Sequence, residues 1–375
     1  MLPKERVIAA LEHRRPDRVP VGEIGVDYPI TERALGRSTL YRAKWREYQA
    51  WWQGRRAEIV ESYKRDIVDL ARVFEWDFVP APLVPPANAP REIPEFLDEY
   101  RWRLADGSEW AFSPDSEGHA ICTKYPPMSA AEIEEPAPID ESRLEVAEHI
   151  VKELGSTHFI LGRPDEDGTF PYENTVGLEE FLARMVTDPG FVRRAVEAYT
   201  EATLIEQNTL LDVGCDGVLP GSDYCDTRGP MMSPRHFREF ILPALARLCA
   251  GTHARGGYLI KHTDGNTWRI LPMMIEAGID GWQGIQPSIG MDLGLLREMY
   301  GDRLCFFGGV DCATLVAGAP EDAAREARYA IQRAGRDGGL VLVSSNTLMA
   351  GVRYDNYLAM LATPRDASSL DRAAL

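Results

Sequence analysis

The sequence predicts an α/β barrel, (β/α)8, in which eight parallel strands alternate with helices. Three observations predict it. Short apolar runs alternate with longer amphipathic stretches, as expected of a parallel sheet covered by helices. Eight such runs can be counted along the 375 residues, enough for one barrel. Polar residues stand at the C-terminal ends of the runs, where a barrel gathers its chemistry. No G-x-G-x-x-G follows the first run, which argues against an open, doubly wound sheet. Residues 1–375 read as one domain.

Taken in order, Pro3 to His13 is expected to be a short helix with Val7, Ile8 and Leu11 on one face. Arg18 to Glu23 is the first strand, with Glu23, Asp27 and Tyr28 at or just past its tip. Tyr41 to Phe74 is charged, aromatic-rich and helical, and its aromatics suit a core or dimer contact. Trp76 to Pro80 is the second strand, and proline-rich Pro80 to Pro94 is a loop. Arg101 to Phe112 alternates around Asp106-Gly107, a hairpin signal. An antiparallel hairpin insertion after the second strand, at about residues 95–130, is therefore expected.

A regular rhythm follows. His158 to Gly162 is the third strand, Asp216 to Asp223 the fourth, Tyr258 to Asp264 the fifth. Gly281 to Gln286 is the sixth, Arg303 to Asp311 the seventh, Gly339 to Asn346 the eighth. Between them, Val176 to Met185 is helical and Asp188-Pro189 starts the next helix. Ser233-Pro234 caps another, and Asp355 begins the last.

Composition narrows the function. A net charge of −17 argues against nucleic-acid or anionic-membrane partners. The six cysteines lack a C-x-x-C pair, so a reducing, cytoplasmic setting is expected. No window approaches the apolar length of a membrane span.

The strand tips carry Glu23, Asp27, Asp223, Tyr224, His262, Asp264, Gln286, Asp311 and Asn346. A barrel would bring them to one face, around an acidic cavity whose carboxylates shift one another's proton affinity. Residues two apart on a strand share a side, so His262 and Asp264 both face the mouth. That pair can transfer protons, form part of a metal site, or be held by a structural hydrogen bond. Asp223 and Tyr224 offer a carboxylate and a phenol to a substrate, whereas Asp226 and Thr227 suit loop ordering. Gly308-Gly309 permits close packing, with Asp311 facing the pocket. Asn346 suits either a substrate contact or a cap.

These segments resemble the uroporphyrinogen decarboxylase superfamily, which also contains corrinoid-dependent methyltransferases. The similar stretches are Glu5 to Leu11 with Pro16 to Pro20, Gly221-Ser-Asp-Tyr with Ser233-Pro234, and His262-Thr-Asp-Gly with Glu276 to Asp280. Tyr300 to Leu304 with Gly308-Gly-Val-Asp311, and the segment before Asn356, complete them. The resemblance implies a TIM-type barrel, often a homodimer, with the site in the barrel mouth. The decarboxylases carry an R-Q-A-G-R loop after the first strand, where this chain has Gly22 to Asp27. Arg forks hold carboxylates in pairs of bonds, so Glu23 and Asp27 there would reverse the field. The decarboxylases' late histidine falls on Asn346. The zinc methyltransferases' H-x-C becomes His262-x-Asp264, and their later cysteine aligns near Asn346.

The expected activity is that of a methyltransferase-like enzyme moving a one-carbon group between a small substrate and a corrinoid protein. His262 or Asp264 would act as general acid, with Asp223 catalytic beside them, and His262 could ligate zinc. Glu23, Asp27, Tyr28, Tyr224, Gln286, Asp311 and Asn346 would contact the substrate. The alternatives are a tetrapyrrole decarboxylase of porphyrin biosynthesis and a barrel that binds a small ligand without catalysis.

Overall fold

The computed structural model describes residues 1–114, 119–165 and 167–365. Its main sheet is parallel and has seven strands: β1 (Phe78–Pro82), β6 (Phe159–Arg163), β7 (Gly217–Val218), β8 (Tyr258–His262), β9 (Gly281–Gln283), β10 (Cys305–Val310) and β11 (Leu340–Ser344), adjacent in that order. Helices connect successive strands, and the longest are Arg56–Val73 and Pro189–Asp212. Between β1 and β6 the chain makes an antiparallel sheet of β2 (Glu95–Phe96), β3 (Arg101–Arg103), β4 (Glu109–Phe112) and β5 (Ala120–Lys124). Gly107, at φ 87°, turns β3 into β4. The aromatics of helix Trp45–Trp52 pack on this sheet, with Trp52 and Trp102 ring centroids 5.0 Å apart.

The strands sort their side chains by parity. Phe78, Phe159, Leu161, Ile260, Phe307 and Val343 form one buried cluster, closed at one end by Val7 and Ala10 of helix Pro3–Leu11. Their neighbours Val79, Ile160, Leu259, Trp282, Phe306 and Leu342 belong to a second cluster, under the helices. One face of the sheet thus encloses a filled interior and the other carries the helical layer. Each large side chain so buried contributes about 1.5–3 kcal/mol relative to exposure.

Most strands are shorter than their sequence patterns, and two are cut back furthest. The first, Arg18 to Glu23, makes a single bridge, Val21 to Leu342 of β11. On its other side Asp77 N–H donates to the Val21 carbonyl at 2.6 Å. A ladder fails there because Pro20 has no N–H, and Val21 N–H donates instead to the Asp77 carboxylate at 2.8 Å. Arg6 and Arg18 hold that carboxylate at 3.0 and 2.7 Å. The fourth, Asp216 to Asp223, keeps only Gly217–Val218 as a strand. Pro220 interrupts it, accepting the His262 N–H at 3.1 Å, and Gly221 then bridges His262.

Candidate active site

The tip of β8 is the centre of the site. Strand register sets His262 beside Gln283 of β9, and the Gln283 side-chain oxygen meets His262 Nδ1. The other ring nitrogen, Nε2, lies 3.7 Å from Asp223 Oδ1. That same oxygen accepts the Asp264 N–H at 2.8 Å. Asp264 Oδ2 accepts from Asn346 Nδ2 at 2.6 Å, past the end of β11. One donor atom each from Asp223, His262 and Asp264 lies within 4.8 Å of the others. An imidazole nitrogen and two carboxylate oxygens suit a zinc-type ion, with room left for a further ligand. Burial lowers the proton affinity of His262; Asp223 opposes the shift and Lys261 adds to it.

A polar floor lies beneath. Lys261 points away from His262, as strand parity requires, and is fully buried. Its Nζ sits 2.6 Å from Asp167 Oδ2 and donates to the Ser222 carbonyl at 2.9 Å. Tyr224 OH lies 2.6 Å from Thr169 Oγ1 and donates to Asp167 Oδ2 at 3.1 Å. Tyr224 is fully buried, so it orders this floor and does not face a substrate. Its place is a correction to the expectation for a strand-tip phenol. The chain bends inward after Asp223 because the Tyr224 N–H bonds Thr263 Oγ1 at 2.9 Å.

Several other tip residues hold the scaffold. Asp311 is nearly buried; its two oxygens accept from Ala313 N–H, capping helix Cys312–Ala317, and from Ser288 N–H, each at 2.9 Å. The expectation that it faces the pocket is corrected, since backbone engages both oxygens. Gln286 Oε1 accepts the Gly265 N–H at 2.9 Å, fixing the turn after β8. Tyr28 opens helix Tyr28–Leu35, and its ring stacks under Arg46 at 4.4 Å. Glu23 is fully buried and accepts from Ser344 N–H and Oγ–H at 3.1 and 2.7 Å. Burial pushes its carboxyl up to about 8, against the pull of those two bonds.

The cleft keeps its carboxylates Asp167, Glu173 and Asp223, and cations stand close to them. Asp27 is buried between two cations, Arg42 Nε at 2.9 Å and Lys44 Nζ at 2.8 Å. Arg163, the last residue of β6, lines a cleft of about 370 Å³ together with His119, Tyr172, Asp223 and His262. A second cleft of about 340 Å³, lined by Arg42, Lys44, Tyr48 and Trp51, shares His119 with the first. Sequence reasoning missed these groups. Arg163 was within reach, since the third strand runs one residue past its expected end. Lys261 could have been found by parity. Arg42 and His119 arrive on loops, and no periodic pattern marks them.

A profile of the family described as uroporphyrinogen decarboxylase (URO-D) matches residues 173–366. The chain is 27% identical over 183 residues to a uroporphyrinogen decarboxylase of Thioalkalivibrio sulfidiphilus, covering 46% of this chain and 48% of that one. It is 28% identical over 164 residues to that of Aromatoleum aromaticum, covering 41% and 42%. The chain thus spans about half the length of the curated relatives it matches. A methyltransferase from Methanosarcina mazei superposes with a TM-score of 0.72 at 19% identity, covering 98% of this chain and 99% of that one. At that identity the likeness is one of fold. Among the described residues no helix is long and apolar enough to cross a membrane.

Proposed function

Because this chain belongs to the uroporphyrinogen decarboxylase family, whose relatives here are decarboxylases in sequence and a methyltransferase in fold, we propose that it is a methyltransferase-like enzyme. It moves a one-carbon group between a small substrate and a corrinoid protein. The supporting observation is the convergence of Asp223, His262 and Asp264 within 4.8 Å at the head of a cleft. A cleft of about 370 Å³ suits a small molecule.

Asp223, His262 and Asp264 would hold a zinc-type ion. Such an ion, when bound, polarises the bond to the leaving oxygen or nitrogen. Gln283 fixes the imidazole so that Nε2 faces the cleft. The lowered proton affinity of His262 favours the neutral ring that ligation needs. Asn346 and the Asp223–Asp264 contact orient the two carboxylates. Lys261 and Asp167 brace the segment that carries Asp223.

Incubation with cob(I)alamin and a panel of methoxy and methylamine compounds tests the reading. The expected products are methylcobalamin and the demethylated compound, with turnover lost on His262→Ala. If nothing in the panel is demethylated, the reading falls.

One observation favours a second reading, tetrapyrrole decarboxylation. Arg42, Lys44 and Arg163 supply fixed cations that the loop at Gly22 to Asp27 lacks. Chromatography after incubation with uroporphyrinogen decides: decarboxylated product above background would put this reading first.

A further inference from the structure

Arg163 is largely buried at the end of β6, and Asp165 only partly offsets the cost of burying its charge. Its Nη1 donates to the Ile24 carbonyl at 2.6 Å. Among the described residues no carboxylate pairs with it. A buried cation without a partner is costly, and burial and then Arg42 lower its proton affinity, to about 10. At Arg42, Nε serves Asp27, while Nη2 is buried and among the described residues has no hydrogen-bond partner. Such an orphan donor beside a cleft is an argument for a missing acceptor.

Cations and carboxylates both line the joined clefts: Asp223 and Glu173 stand in the one with Arg163 and His262, and Asp167 there is matched by Lys261. Arg42, Lys44 and Arg163 face Asp27 and Glu47; Glu47 is bonded by Tyr63 OH at 2.6 Å, and burial raises its proton affinity. His119 adds no negative charge, and burial followed by Lys44 and Arg42 pushes it down to about 4. Arg42 and Lys44 have φ of 47° and 57°, conformations that L side chains seldom adopt and that concentrate at ligand sites. The cleft also has flat apolar walls in Phe170, Pro171 and Tyr172, and His262 stands in the same cleft as Arg163.

We propose that the substrate is a small carboxylate with a flat apolar body, its carboxylate docked on Arg163 and Arg42 and its body against Tyr172, with the reacting group toward His262. The assignment of the reacting group rests on the function proposed above; the docking of the carboxylate does not. A guanidinium fork matches a carboxylate, and a charge-assisted pair in a sheltered cleft gives affinity and orientation together.

Calorimetric titration of the full chain, with no corrinoid present, tests the docking with benzoate, isosteric neutral benzamide, acetate and inorganic phosphate. Benzoate is expected to bind at one site, with benzamide and phosphate at least about tenfold weaker. Acetate, lacking the flat body, is also expected to be weaker. Arg163→Gln keeps an N–H for the Ile24 carbonyl but removes the charge, and is expected to weaken benzoate about tenfold while leaving benzamide unchanged. If that variant does not fold, protection of Arg163 in the unaltered protein from phenylglyoxal by benzoate, read by mass spectrometry, replaces it. Undetectable benzoate binding, equal benzoate and benzamide affinity, phosphate binding as tight as benzoate, or no protection of Arg163 overturns the carboxylate site. Acetate binding as tight as benzoate overturns the flat body.

A paired assay separates the two readings. If para-methoxybenzoate binds while nothing in the methoxy and methylamine panel is demethylated, methyl transfer is sunk and the docking site stands. If methoxybenzene, which lacks the carboxylate, is demethylated as efficiently as para-methoxybenzoate, the docking site is sunk and methyl transfer stands.

Discussion

The ammonium of Lys261 lies 2.6 Å from the carboxylate of Asp167, and neither side chain reaches solvent. The pair sits directly under the cleft that His262 lines, and Tyr224 and Thr169 complete its bonding. Removing one partner strands the other charge in a medium that solvates it poorly.

Lys261→Met is therefore expected to destabilise the fold by about 3–5 kcal/mol. Lys261→Met combined with Asp167→Leu should recover part of that loss, because no charge is then left unpaired. Urea unfolding of the two variants beside the parent chain checks this. A double variant no more stable than the single one would show that the pair is not the cause.

Glu23 gives the fold a pH dependence of definite sign. Its carboxyl keeps its proton up to about 8 in the folded state, because burial disfavours the charged form. The unfolded chain loses that proton near the ordinary value of about 4.3. Between those limits the folded state binds more protons, so the contribution of this group to stability falls as pH rises. Glu23→Gln cannot ionise and should flatten the slope. Its advantage over the parent should grow from pH 5 to pH 8, to on the order of a few kcal/mol. Melting curves across that range decide, and an unchanged slope would place the proton elsewhere.

Zinc titrated into metal-stripped protein should raise the melting temperature. Binding only to the folded state stabilises it by about 2.7 kcal/mol at a hundredfold excess over Kd. His262→Ala and Asp264→Ala should abolish the rise while folding normally. A rise that persists in His262→Ala would assign the ion to another place.

Gly339 has φ 81°, and a Cβ there would meet Arg297 Nη1 at 2.2 Å and His13 Nδ1 at 3.0 Å. Gly339→Val combines that collision with a conformation costly to a β-branched residue. A loss of about 1–3 kcal/mol is expected, read by denaturant unfolding. Gly36, at φ 66° with open space around it, is the control: Gly36→Ala carries only the backbone strain and should lose less.

Much of the fold was legible because its signals are local. Leu259 and Ile260 alternate between the two cores as a strand dictates, and Asp188-Pro189 starts a helix where the composition says it should. The site was legible in part. His262, Asp264, Asp223 and Asn346 stand at strand tips and do meet. Asp311 and Tyr224 stand at tips by the same rule, yet one caps a helix and the other braces the buried floor. A tip position says where a side chain begins, not which backbone group or neighbour will claim it.

Periodicity and parity, which depend on residues a few places apart, determined the strand order, the two-sided core and the polar rim at the ends of β8 and β11. Only the tertiary structure decided which cations join the carboxylates of the mouth. Arg42 and His119 lie on loops far in sequence from Arg163, and they come together because the curled sheet and its insertion carry those loops to the same side. Electrostatic fields sum over distances in space, and the sequence records only distances along the chain.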